Sequence, residues 1–206
     1  MKTIREFDHK KATQAINFLA QKEGGHIDKI KVIKLIWLAD RYHIRKYGRP
    51  IVNDIYFAMP YGPVASSVAD LAGFNDIQIG EDEKKYLEKY LKSARFKKNT
   101  IVSIEGVDEQ VFSDSEIEAL DKIYQEYGNY KPFDLVNLSH KFPEWKKFEA
   151  SLKSKITTRE LMSYEDFFSN PPNSLPMKNI FDESDDCLAA TNEIFKENYQ
   201  IANCWI

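Results

Sequence analysis

A chain of 206 residues, 43% of them apolar, has the length and the hydrophobic content for one cored domain with a modest extension. It holds no run of eighteen apolar residues, which excludes a membrane-spanning helix. The start, Met1-Lys-Thr-Ile-Arg-Glu-Phe-Asp8, is charged where a secretory leader needs its apolar stretch. The expectation is therefore a cytoplasmic protein. Cys187 and Cys204 have neither the spacing nor the neighbours of a zinc site, and a reducing compartment disfavours a disulfide.

The net charge of −3 is unevenly spread. Residues 1–50 carry 12 Lys/Arg against 5 Asp/Glu, net +7, and the remaining residues carry 17 against 27, net −10. A basic excess of this size on helices is usually a solvated face, so nucleic acid is an unlikely partner.

Asp8 is placed to cap a helix running to about Lys22, with Ala12, Ala15, Ile16, Leu19 and Ala20 inward. Gly24-Gly25 stops it. Asp28 caps a second helix to about Tyr47, ended by Gly48 and Pro50. On a wheel, Val32, Leu35, Ile36, Ala39 and Tyr42 fill one sector of this second helix. Ile30, Ile33, Trp37 and Ile44 fill the next. Only Lys31, Lys34, Arg41 and Arg45 form a narrow polar stripe, read as solvated or paired with acidic residues elsewhere. A helix apolar over so much of its circumference is central to its domain.

Asp54 to Met59 has strand character. Pro60-Tyr61-Gly62-Pro63 is a turn in which Gly62 is placed as N-cap and Pro63 as first residue of a helix to about Ala72. Asp82 to Phe96 reads as an amphipathic helix, and Ile101–Ile104 with Gln110–Phe112 as a hairpin. Ser113 and Glu116 have the spacing of a capping box for a helix ended by Gly128. Pro132 and Pro143 each open a helix, and Thr157–Glu160 caps a last turn or two before Phe168. Pro171-Pro-Asn-Ser-Leu-Pro176 is linker-like. Beyond it, residues 177–206 hold 2 basic and 6 acidic side chains, one amphipathic helix from about Glu183 to Tyr199, and an apolar end with Trp205. The fold class is thus mainly α (α+β): a compact helical domain with a central buried helix and one small antiparallel sheet. Residues 1–170 form the domain and 171–206 an acidic extension docked on the body or on a partner.

Candidate chemistry is sparse. Asp40 and His43 lie on one side of a helix and could serve as acid and base or as metal ligands, with His140 as the third group. A buried polar network that pins the loop after Gly48, or caps the helix at Pro63, explains the pair with fewer assumptions. His140 is equally well accounted for by packing on Trp145. Met59–Pro63 has too few amide donors to cradle a phosphate. No catalytic set, metal site or cofactor site is read from the chain.

The order Lys34-Leu-Ile-Trp37-Leu-Ala-Asp40, then Gly48-Arg49-Pro50, then Ala58-Met-Pro60-Tyr61-Gly62-Pro63-Val64 resembles the Panacea domain, the SocA-like antitoxin domain found in bacteria and their phages. Ser113-Asp-Ser-Glu116, Tyr127-Gly128, Leu138-Ser139-His140 and Trp145 extend the resemblance over roughly residues 10–165. It implies a non-enzymatic antitoxin that neutralises a cognate toxin protein by direct contact, some relatives by presenting the toxin to a protease. Tyr61, Gly62 and Pro63 at the turn, and Trp205 in the acidic end, are the candidate partner-binding residues. Tyr and Trp are frequent interface anchors.

Overall fold

The computed structural model of the chain describes residues 7–97, 99–171 and 180–204. Helix α1 (His9–Lys22) starts where Asp8 accepts a hydrogen bond from the Lys11 amide at 3.0 Å. Strand β1 (His26–Asp28) leads into α2 (Lys29–Tyr47). Asp28 Oδ1 accepts from the amides of Ile30 at 2.8 Å and Lys31 at 3.2 Å, satisfying two of the donors that a helix start leaves free. Gly48 closes α2 at φ +66°, and a Cβ there would lie 2.9 Å from the Ile194 side chain. Glycine is needed for the left-handed turn and for that close approach.

Helix α2 is the centre of the molecule. Packed around it are α1, α3 (Ser66–Gly73), α5 (Asp114–Tyr127), α6 (Pro132–Ser139) and α9 (Asp185–Cys204). Trp37, Leu35, Leu38, Ala39 and Ile44 are fully enclosed. Leu188 and Phe195 of α9 belong to the same core, with Phe195 against the rings of Tyr164 and Phe168.

Among the described residues there are nine helices and two three-stranded antiparallel sheets, where one sheet was expected. Strands β2 (Tyr56–Met59) and β3 (Gly62–Ala65) form a hairpin with Pro60 and Tyr61 at its tip. Gly62 and Pro63 therefore do not open a helix. Val64 and Ala65 lie opposite Phe57 and Tyr56, and α3 begins only at Ser66. Its cap comes from outside: the Asp54 carboxylate accepts from the Ser67 amide at 3.0 Å and the Val68 amide at 2.8 Å. The third strand of this sheet is β6 (Glu160–Leu161), in a stretch expected to cap a helix.

The other sheet runs β1–β5–β4. Helix α4 (Glu81–Tyr90) ends six residues before the expected Phe96, because Leu91–Ser93 becomes β4 and pairs with β5 (Thr100–Ser103). The expected hairpin partner, Gln110–Phe112, is instead part of a 3-10 turn at Glu109–Val111. Burial decides this pairing, since it places Ile27, Leu91 and Ile101 together inside. Helices α7 (Pro143–Lys146) and α8 (Glu149–Lys153) follow α6. Residues 172–176 of the linker-like stretch, and Trp205, lie outside the described residues. No described helix is long and apolar enough to cross a membrane.

Candidate functional site

The polar stripe of α2 is not solvated. Lys31, Lys34, Arg41 and Arg45 are all buried, so each must be met by acceptors. Lys31 Nζ donates to Glu23 Oε1 and the Gly128 carbonyl, both at 2.6 Å. Arg41 Nε donates to Glu144 Oε1 at 2.8 Å, and Nη2 to the Ser169 carbonyl at 2.6 Å. Its guanidinium lies over the rings of Phe142 and Phe181, 4.7 Å from each centroid. Arg45 donates to Glu183 Oε2, Asn170 Oδ1 and the carbonyls of Phe167, Ser169 and Phe181, at 2.7–3.1 Å. This end of the stripe binds the segment that leads into α9.

Lys34 does something different. Its Nζ donates to the Pro63 carbonyl at 2.7 Å, beneath the hairpin tip. Burial lowers its pKa to about 7, since no carboxylate compensates the enclosed ammonium. On the other strand of the tip, Trp145 Nε1 donates to the Met59 carbonyl at 2.9 Å. Gly62, at φ +91°, packs so closely that a Cβ would stand 2.1 Å from Ser139 Oγ and 2.9 Å from Lys34 Nζ. His140 stacks on Trp145 with centroids 3.8 Å apart and planes 15° apart. Burial, with the Lys34 charge adding to it, lowers the pKa of that ring. Residues 34, 59–63, 139–140 and 145 thus meet under one two-residue turn. At its apex Tyr61 is 62% exposed and edge-on to Phe133, itself 57% exposed, with centroids 6.1 Å apart.

The Asp40–His43–His140 constellation does not assemble. Asp40 Oδ1 accepts from the amides of Ile51 at 2.8 Å and Val52 at 3.2 Å, and Oδ2 from the Tyr56 hydroxyl at 3.0 Å. Burial raises its pKa to about 7 against the pull of these three donors. His43 Nδ1 meets the Arg49 carbonyl at 2.7 Å and Nε2 meets Ser115 Oγ at 3.1 Å. Burial lowers the ring's pKa to about 4, so at neutral pH Nδ1–H donates to Arg49 and Nε2 accepts from Ser115. Both side chains hold the loop after Gly48. Arg49 finishes the job by donating to Glu116 Oε1 and to Ser113 Oγ, while Pro50 follows it half-buried. Trp37 is core, edge-on to Phe142. Among the described residues no group of three or more His, Cys, Asp or Glu is placed to hold a metal ion.

The geometry defines a helical domain whose central helix fastens one exposed aromatic turn from below. The chain belongs to the antitoxin SocA-like Panacea-domain family, whose model matches residues 32–146. The matched region is narrower than residues 10–165, yet it contains Lys34, the whole hairpin, His140 and Trp145. No curated protein and no solved structure matches the chain.

Phe133 and the outward residues of the β3–β2–β6 sheet escaped the sequence reading. Phe133 is the second residue of a proline-opened helix, in the first turn. A wheel drawn for so short a helix would have placed it away from Leu135 and Leu138.

Proposed function

We propose that the chain is an antitoxin that neutralises a toxin protein by direct contact, and that the hairpin tip bearing Tyr61, with Phe133 beside it, is where the toxin docks. The observation that carries this reading is the exposed aromatic pair on a turn fastened from both strands by Lys34 and Trp145. A rigid anchor loses little conformational freedom on binding, which favours affinity. Gly62 and Pro63 shape the turn and do not themselves offer contact area, being buried.

The acidic end is the weaker candidate. Glu183 is already engaged by Arg45, and Leu188 and Phe195 face inward. A nucleic-acid regulator has lost its main support, because the cationic stripe is enclosed. A hydrolase would need Asp40 and His43 free, and their polar atoms are occupied. Delivery of the toxin to a protease requires the same first contact and predicts a shortened toxin lifetime.

The test is growth of cells expressing the neighbouring reading frame, with and without this chain. Wild type is expected to relieve arrest. A Tyr61→Ala/Phe133→Ala variant with unchanged melting is expected to bind the toxin at least about thirtyfold more weakly, the loss of a hot-spot anchor. Full relief by that variant would remove the tip as the docking site. Arrest that wild type does not relieve would remove the antitoxin reading.

A further inference from the structure

The hairpin tip continues into a face that the proposal above does not use. Along β2 the side chains alternate: Tyr56 and Ala58 point to the core, so Phe57 and Met59 point out, as does Ile55 before them. Across the sheet, Val64 and Leu161 are the register partners of Phe57 on either side. Cross-strand partners share a face, so Val64, Phe57 and Leu161 form one apolar row open to solvent. Leu161 is 56% exposed. An outward sheet face is ordinarily polar, and this one carries aliphatic and aromatic side chains out to the Tyr61–Phe133 pair.

Strand β6 is the last strand on its side of the sheet. The Met162 amide donates to the Tyr56 carbonyl at 2.9 Å, which makes Tyr56 and Met162 a hydrogen-bonded pair. By the alternation of antiparallel ladders, the next residue, Leu161, turns its N–H and C=O away from β2, toward the open edge. That edge can accept a further extended segment.

The segment that leads into β6 has a charge opposite to that of the whole chain. Residues 131–159 carry 7 Lys/Arg and 3 Asp/Glu, net +4, in a protein of net −3. Of the three anions, Glu144 is enclosed with Arg41, Glu149 is taken by Lys146 and Lys153, and Asp134 is exposed next to Phe133. Arg159 lies over the Phe57 ring at 5.0 Å. Lys131 stands two residues before Phe133, and Lys141 directly follows the stacked His140; both are exposed. Cations therefore rim an apolar row at both ends.

We infer that this outer sheet face, from the Tyr61 tip to Leu161, receives an extended acidic segment of the toxin that carries apolar side chains. The apolar row takes the side chains, the edge of β6 takes the backbone, and Arg159 and Lys131 take the carboxylates. The inference rests on the antitoxin reading, and aliphatic Val64 and Leu161 on either side of Phe57 favour a protein segment over bases, which stack on successive aromatic platforms.

The experiment measures the affinity of the intact chain for the purified product of the neighbouring reading frame at low and high salt. The variants are Leu161→Asp and Arg159→Glu, both at exposed positions, with thermal melting as the folding control. Leu161→Asp is expected to weaken binding at least about tenfold. Arg159→Glu is expected to weaken it about tenfold at low salt, less at high salt, because a rim charge acts through a screened field. Affinity within about twofold of wild type for both variants, with Tyr61→Ala still disruptive, would overturn the face and leave the antitoxin reading standing. No binding by wild type would overturn both. If Arg159→Glu instead reduces binding of an oligothymidylate while the protein complex is unchanged, the face serves nucleic acid and the inference is wrong.

Discussion

The two ends of the α2 stripe solve one problem in two ways. Arg45 has five partners, drawn from residues 167–183, and the Lys34 ammonium donates to the Pro63 carbonyl. Burial lowers the pKa of Arg45 only to about 10, so it stays charged at neutral pH. Burial brings Lys34 to about 7, where its charge is half lost. The planar fork of arginine can satisfy several acceptors at once, and the lysine ammonium cannot be held this way. The arginine end is a fixed lock on the C-terminal segment. The lysine end is an adjustable tie on the hairpin tip.

Removing the lock should produce the largest effect. Arg45→Ala strands Glu183 and several buried carbonyls, and should cost about 3–5 kcal/mol in chemical denaturation. Arg45→Lys should recover less than half of that loss. A cost under about 1 kcal/mol for Arg45→Ala would mean that this end is no stronger than the other.

Gly62→Ala tests the tip. The new methyl would overlap Ser139 Oγ in a left-handed backbone, and the loss should be about 2–4 kcal/mol by urea unfolding. Adding Ser139→Ala removes the nearest atom and leaves the backbone strain, so about half the loss should return. Full recovery would show that the strain at φ +91° is unimportant.

Lys34 predicts a pH dependence. Its folded pKa lies below its unfolded value of 10.5, so the native state holds fewer protons than the unfolded state from about pH 7 to about pH 10. Stability must therefore rise with pH across that window and be lost as pH falls toward 7. The slope should reach about 1 kcal/mol per pH unit near its middle. Lys34→Met should flatten the urea midpoint between about pH 7 and about pH 9. An unchanged slope in that variant would assign the titration elsewhere.

Tyr61→Ala should do least to the fold. The ring is mostly exposed, so calorimetry should find a change within about 0.5 kcal/mol. A larger loss would make the tip part of the scaffold and not an offering to a partner.

What the sequence discloses divides by range. Asp8, Asp28, Gly48 and the Ser113–Glu116 box were legible because each acts within a few residues of itself; Glu116 Oε2 accepts from the Ser113 amide at 2.8 Å as that spacing predicts. The centrality of α2 was legible from its wheel. The burial of Lys34, Arg41 and Arg45 was not, because the groups that enclose them lie up to 138 positions away along the chain. The same limit hid β3: Gly62-Pro63 has the local marks of a helix start, and only the pairing of Val64 and Ala65 with β2 overrides them. From the sequence, His140 reads as packing on Trp145, Lys34 as solvated or paired, and Gly62 as a partner-binding residue. Their meeting under the Tyr61 turn exists only in three dimensions.

The partners of Arg45 carry one more consequence, for the ribosome. Among the described residues, the hydrogen bonds of that guanidinium all go to residues from 167 onward. A nascent chain that has emerged as far as α8 holds the family-matched region complete, yet its core helix still carries a charge with nothing to bind. Domains generally fold as units as they emerge, and here the unit cannot close until residues 167–183 are out. A chain that ends before residue 167 would leave that guanidinium to water and the end of α2 uncovered.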